Sequence, residues 1–425
     1  MLRTSPVSAE TLLDHVKPGA DLIIPIACGE PTTLVDALEA NNEQLAGVRI
    51  HQMHVLHERP YLAGDYYDRL RHVSYFLSPI TRKHFWAGTI DLIPANFSEL
   101  PETLHRTATH PVVVAATSLP DDRGYFSLGT NADYVAPLIG KVPFFLEATP
   151  HMPRTIGVNE IHESQVAGWI ESDRTLPLVP PIPRSELDEK IASFIAPEIA
   201  NGSTLQVGIG GVPNAVMALL KDHKELGVHT ELLSDGLVEL VECGAITGSQ
   251  KKFQPHKLVS TFCMGSQHLY DWLDGNELVE MLPVDHVNDP RIIGREPDFV
   301  AINATAEVDL FGQCASETIA GQYWSSSGGQ ADFSRGAMFA ERGKAFMVLH
   351  STTADGTSKI RAQLTPGAVV TTNKNTIDHI VTEYGIARMR GRTITERAFA
   401  LIEIAHPDHR EQLERDAHAC GILRR

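Results

Sequence analysis

Val207-Gly208-Ile209-Gly210-Gly211-Val212-Pro213-Asn214 is the stretch that decides the fold. Its apolar approach reads as a strand, its glycines as a tight turn, and Pro213 as an early helical position, where a missing N–H costs little. A strand turning sharply into an amphipathic helix opens a βα unit. The same pattern stands near the start of the chain, where Ala27-Cys28-Gly29-Glu30-Pro31 precedes Leu34, Ala37 and Leu38, just as Pro213 precedes Val216, Leu219 and Leu220. Residues 113–117 and 299–303, both apolar and strand-like, recur at nearly the same offset. These repeats predict an α/β protein of two similar open domains with mainly parallel sheets, and a site at the interface between them, where ligand pockets often form.

Between the two copies lies Pro177-Leu178-Val179-Pro180-Pro181-Ile182-Pro183-Arg184, whose prolines forbid both helix and central strand. Ser185 then caps a helix expected to run to about Ala196. The domains are therefore expected at 1–183 and 184–425. A chain of 425 residues is long enough for two such cores.

Composition removes several classes of function. The formal charge of -17, with no long Lys/Arg cluster, argues against nucleic acid and anionic membrane as partners. Five scattered cysteines, none in a C-x-x-C, suggest neither a disulfide framework nor a zinc knuckle, and so a reducing compartment. Charges and prolines interrupt residues 1–20 where a signal peptide needs an apolar run, and no stretch has the length of a membrane span. A cytoplasmic location is the expectation.

The turn at 207–214 offers backbone N–H groups and a helix start to an anion or oxyanion, or is simply a tight βα turn. A dinucleotide fingerprint needs a third glycine where Pro213 stands, which disfavours nicotinamide cofactors. Further on, His229-Thr230-Glu231-Leu232-Leu233-Ser234-Asp235-Gly236 leaves one carboxylate, Glu231, between an apolar approach and a turn. Such a Glu is commonly a solvated carboxylate; chemistry would need it partly desolvated, with an oxyanion donor nearby. Ser326-Ser327-Gly328-Gly329-Gln330 is a second Gly loop leading toward a helix, and residues 381–391 run from an apolar start to a basic end. His51, His54 and His57 share a strand-like segment, expected over 48–56, but their spacing does not place all three on one face, so no metal site is expected. No G-x-S-x-G elbow is present to suggest a serine hydrolase.

In order along nearly the whole chain, Met152-Pro153-Arg154-Thr155, Gly208-Ile209-Gly210, His229-Thr230-Glu231, Ser234-Asp235-Gly236, Val287-Asn288-Asp289-Pro290, Glu307-Val308-Asp309-Leu310-Phe311-Gly312-Gln313, Gly328-Gly329-Gln330-Ala331-Asp332-Phe333 and Thr382-Glu383-Tyr384-Gly385-Ile386-Ala387 resemble the acetyl-CoA hydrolase/transferase family of class I coenzyme A transferases, particularly its 4-hydroxybutyrate CoA-transferase-like branch. The resemblance implies an acyl-CoA:carboxylate CoA-transferase acting through a covalent glutamyl-CoA thioester on Glu231. Alternatives are an acyl-CoA hydrolase using the same Glu, or a non-catalytic CoA-binding protein. A Glu is ionised at neutral pH without help from a base, so it needs only relief of charge on the tetrahedral oxygen. The resemblance suggests the backbone N–H groups of Ile209 and of Gly328 or Gly329 for that task. It places Gly208, Gly210, Gly211, Asn288, Gln330, Tyr384 and Gly385 around coenzyme A, with Lys359 and Arg361 chosen by charge for its phosphates. It implies no cofactor beyond the coenzyme A thioester as co-substrate, a role in acetate metabolism, acyl-CoA and a small carboxylate as partners, and a homodimer or larger homo-oligomer. Cys314-Ala315-Ser316-Glu317 and Tyr323-Trp324-Ser325-Ser326-Ser327 depart from the family pattern, and so an acyl pocket altered around Cys314 and Trp324 is expected, with succinate or itaconate among the possible acids.

Overall fold

The architecture is that of a computed structural model, described over residues 5–66, 68–180 and 182–424. Pro181 of the proline run and the first four residues lie outside this range. The chain forms two compact units. One holds residues up to Pro180 together with Glu231–Asp235 and Val259–Val287, and the other holds the rest.

The sheet of the first unit runs Asp91–Leu92, Leu70–Ser74, Val48–Gln52, Asp21–Ile24, Val112–Thr117, Phe144–Ala148, Val166–Glu171, with every pair parallel. Val112–Thr117 and Phe144–Ala148 are buried at every residue, as strands covered on both faces must be, which is why they read as unbroken apolar runs. The expected strand over 48–56 stops at Gln52, and His54 beyond it takes a positive φ of 53°. Helix Thr32–Ala40 follows the first strand, and its start is capped from another strand. The Glu147 carboxylate accepts the Thr33 and Leu34 N–H groups at 2.8 and 3.2 Å and the Thr33 and Ser172 hydroxyls at 2.7 and 2.8 Å. The positive end of the helix thus has an internal counter-charge.

In the second unit, Gly227–His229, Thr204–Val207, Phe299–Ala304, Lys344–Val348 and His379–Thr382 are parallel neighbours in that order, and Gly385–Arg388 closes the edge antiparallel. The repeats seen in the sequence take matching places. Val112–Thr117 lies beside Asp21–Ile24 in one sheet as Phe299–Ala304 lies beside Thr204–Val207 in the other. Each pair marks the point where strand order reverses, and the two Gly turns leave the carboxyl ends of those strands, where open α/β sheets bind ligands. Ser185 caps helix Glu186–Ile195 in a capping box, its hydroxyl accepting the Asp188 N–H at 3.2 Å.

By contacts the chain changes unit after Pro180, close to the expected 183, and then returns to the first unit at Glu231–Asp235 and Val259–Val287. Leu232–Leu233 pairs in parallel with Phe262–Cys263, and Cys263 donates its N–H to Thr130 O at 2.8 Å. Glu231, expected in the second domain, therefore belongs to the first unit. Among the described residues no helix is long and apolar enough to cross a membrane.

Candidate active site

Glu231 sits two residues past the carboxyl end of strand Gly227–His229 and just before Leu232–Leu233. Its main-chain carbonyl accepts three hydrogen bonds, from the Thr261 N–H at 3.2 Å, the Phe262 N–H at 3.1 Å and the Ser260 hydroxyl at 3.0 Å. The backbone is fixed by this set while the residue itself stays partly exposed. Its carboxylate is therefore carried on a main chain held by three hydrogen bonds.

In the second unit, Gly208 donates to Ile302 O at 3.0 Å, closing the end of its strand against Phe299–Ala304. A Cβ at position 208 would lie 3.3 Å from that oxygen, a tight contact. Gly210, with φ 140° and ψ 177°, occupies a region open in practice only to glycine, and caps helix Gly211–Leu219. A Cβ on Gly211 would fall 2.4 Å from Asp188 Oδ2, so that glycine serves packing inside the unit. Ile209 is 50% exposed at the crest of the turn. Neither its N–H nor those of Gly328 and Gly329 meet an acceptor among the described residues. Gly328, at φ 54°, and Gly329, the cap of helix Gln330–Phe339, are buried.

The residues assigned to coenzyme A divide into two groups. Tyr384 is partly exposed in the turn between His379–Thr382 and Gly385–Arg388, and Gly385 has a positive φ of 139°. Lys190 Nζ lies 5.2 Å and the Arg410 guanidinium 5.7 Å from the Tyr384 ring centre, with His406 edge-on at 5.5 Å. Lys190 and Arg410 are basic groups that sequence spacing could not bring to this turn. Lys359 is half-buried; desolvation pushes its ammonium below the ordinary range, against the opposing field of Glu383.

Other residues of the expected set also make contacts within their own unit. Gln330 donates its side-chain amide to Ser316 Oγ at 2.8 Å and Thr372 Oγ1 at 3.1 Å, tying a helix start to two loops. Asn288 is fully buried. Arg361 forms an ion pair with Glu307 at 2.8 Å on the wall of a cavity of about 580 Å³ that also includes His409, Asp416 and Cys420. Cys314 belongs to the hydrophobic core with Val308, Ile360 and Met347, and burial pushes its thiol up. Trp324 is 38% exposed and remains a surface group. His51 accepts or donates at both ring nitrogens within the unit, to Tyr75 OH at 2.7 Å and Asp21 Oδ1 at 3.1 Å, and His57 Nδ1 meets Glu30 at 3.2 Å.

Each of the two mainly parallel α/β units thus carries a Gly turn at its strand-order reversal, and Glu231 is held by its main-chain carbonyl. Models of the N-terminal and C-terminal domains of acetyl-CoA hydrolase/transferase match residues 5–177 and 265–417. The chain belongs to the acetyl-CoA hydrolase/transferase family. It is 42% identical to the succinyl-CoA:cyclohexane-1-carboxylate CoA transferase of Geobacter metallireducens over 96% of this chain and 93% of that one. It is 38% identical to the 4-hydroxybutyrate coenzyme A transferase of Clostridium kluyveri, over 96% of each. The crystal structure of RipA from Yersinia pestis matches with a TM-score of 0.92 at 32% identity, covering 98% of each chain.

Proposed function

We propose that this protein moves coenzyme A from an acyl-CoA to a small carboxylic acid, with Glu231 as the covalent nucleophile. One Glu231 oxygen attacks the thioester carbonyl; the C–S bond breaks and CoA leaves as thiolate, giving an acyl-glutamyl anhydride. The thiolate then attacks the glutamyl carbonyl, releasing the first acid as carboxylate and leaving glutamyl-CoA thioester. The acceptor carboxylate repeats the two steps in reverse order, regenerating Glu231 and forming the new acyl-CoA. No proton enters or leaves, so the exchange calls for no general base.

The observation that carries this reading is the pinned carbonyl of Glu231, held by Ser260, Thr261 and Phe262. The uncommitted N–H groups of Ile209 and of Gly328 or Gly329 support it as oxyanion donors, each such donor lowering a barrier by on the order of 3 kcal/mol. For coenzyme A, the Tyr384–Gly385 turn with Lys190, Arg410 and Lys359 is the proposed phosphate-side contact. The relatives act on succinyl-CoA, cyclohexane-1-carboxylate and 4-hydroxybutyrate by name, so these acids, acetate and butyrate form the acceptor panel. A cytoplasmic homo-oligomer working in acetate metabolism belongs to the same reading.

Incubation with acetyl-CoA, borohydride reduction and peptide mass analysis tests it: the reduced thioester is expected on Glu231, and its absence overturns the mechanism. Accumulation of CoA thiol without any acceptor acid would instead favour the hydrolase. Glu231→Ala is expected to abolish exchange, and Glu231→Asp, which withdraws the carboxylate by one methylene, to lower kcat by about 100-fold.

A further inference from the structure

The first unit contains a buried polar clamp that no step of the reaction uses. Asp133 is 0% exposed and has a positive φ of 29°. One carboxylate oxygen accepts the Ile26 N–H at 3.3 Å and the Asn131 side-chain amide at 2.8 Å; the other accepts the Val135 N–H at 2.9 Å. Asn131 donates from the same amide to Ile26 O at 2.8 Å. Together they hold both main-chain groups of Ile26, at the entrance to the turn after the first strand, where Ala27 is kept at φ 52°. Positive φ at a residue other than glycine costs free energy and persists only where its surroundings enforce it.

The other side of the clamp leads to Glu231. The main-chain N–H groups of Ala132 and Asp133 both donate to Thr261 O, at 2.9 and 3.0 Å, and Asn131 forms a bridge with Phe262. Thr261 and Phe262 are the residues whose own N–H groups hold the Glu231 carbonyl. A continuous path of hydrogen bonds therefore runs from the Gly turn of the first unit, through Asn131 and Asp133, to the backbone of Glu231.

We propose that Asp133, acting through Asn131, is a positioning residue for Glu231: it locks the 261–262 segment, and with it the nucleophile, to the carboxyl end of the first strand. This rests on the reading of Glu231 as the nucleophile. The titratable groups on the elements packed around Asp133 are the Cys28 and Cys263 thiols, the Tyr134 phenol, and Asp285 and His286 on helix Val284–Val287, whose Val284 N–H donates to Asp133 O at 3.0 Å. The carboxylate oxygens themselves are held by N–H donors, with no cation bonded to them among the described residues. Burial pushes this carboxyl up to about 6, against those hydrogen bonds. A proton taken up there competes with an N–H donor for the same oxygen, so the clamp loosens as pH falls through that value.

The test is Asp133→Asn, which keeps the shape and tolerates the positive φ but faces an NH2 group toward N–H donors. The single-turnover rate of glutamyl-CoA formation and kcat are expected to fall ten-fold or more, with KM for acyl-CoA within two-fold and the thermal midpoint nearly kept. In the unsubstituted protein kcat is expected to decline as pH falls through about 6. In Asp133→Asn that limb disappears. A variant rate within two-fold, or KM and thermal midpoint falling together with kcat, overturns the proposal. Should Asp133→Asn fail to fold, Asn131→Ala carries the same expectation for the single-turnover rate, kcat and KM from the other half of the clamp, with the acid limb retained because Asp133 is still present. If the unsubstituted protein forms no glutamyl thioester, the nucleophile reading fails; if it does and the variants match its rate, only the positioning role fails.

Discussion

The Ser260 hydroxyl donates to the main-chain carbonyl of Glu231 at 3.0 Å and lies 3.1 Å from the carbonyl of Phe262. A side chain is thereby added to the two main-chain donors that fix the glutamate. Ser260→Ala leaves those two in place and removes a hydrogen bond of about 1 kcal/mol, so kcat is expected to drop about five-fold with little change in KM. Steady-state kinetics over a range of acyl-CoA concentrations separates the two parameters; an unchanged kcat would mean that the main chain alone fixes Glu231.

Gly210→Ala places a Cβ on a backbone at φ 140° and ψ 177°. Strain of roughly 1–3 kcal/mol follows, and the turn can relieve it only by rotating its own peptide groups. Because the Ile209 N–H belongs to the same turn, kcat/KM is expected to fall at least ten-fold, while urea unfolding shows a loss no larger than that strain. Equal losses in an exposed control glycine such as Gly88, also at positive φ, would contradict a specific role.

Glu147 carries no chemistry in this scheme, yet it receives three hydrogen bonds from the start of helix Thr32–Ala40 and a fourth from Ser172. Glu147→Ala is expected to lower stability by about 2–3 kcal/mol, through the lost cap and the buried donors left behind. Equilibrium denaturation reads the loss, and substrate KM values measured on the folded protein should not move.

Acid sensitivity has an identified source in Asp21. Burial pushes its carboxyl up, but hydrogen bonds from His51 and Arg49, at 3.1, 2.6 and 2.7 Å, and from the Thr109 N–H outweigh this and hold it below the ordinary 3.8. A carboxylate with a depressed pKa stabilises the fold fully above its unfolded value, and the contribution is lost as pH falls through the lower, folded one. The thermal midpoint is expected to drop below about pH 4 more steeply in the unsubstituted protein than in Asp21→Asn. Parallel curves would assign the acid loss elsewhere.

The duplicated βα architecture was legible because its signals are local: an apolar run, a glycine turn, and a proline at an early helical position. Residues 27–31 and 209–213 announce the same geometry in both halves, and the sheets place them alike. Glu231 stood out for a similar reason, as one carboxylate in an apolar approach to a turn. What spacing could not convey was partnership across long separations. Arg361 was chosen for its charge, but Glu307 occupies it. Gln330 looked like a ligand contact, yet its amide is taken by Ser316 and Thr372. Cys314 differed from the family pattern, but it points into a core where its identity is a matter of packing. Asn131 and Asp133 gave no signal because their partner Ile26 is more than a hundred residues away. A polar pair in a short loop is indistinguishable from ordinary turn chemistry until that partner is known.

The return of Glu231–Asp235 and Val259–Val287 to the first unit sets an order on synthesis. A ribosome that has released residues up to Pro180 has released a parallel sheet with all seven strands, but neither the glutamate nor the segment that grips its carbonyl. Loop closure over such separations is slow compared with local helix and strand formation. Until Val259–Val287 has emerged, the main-chain carbonyl of Glu231 has none of the three donors that hold it in the finished chain.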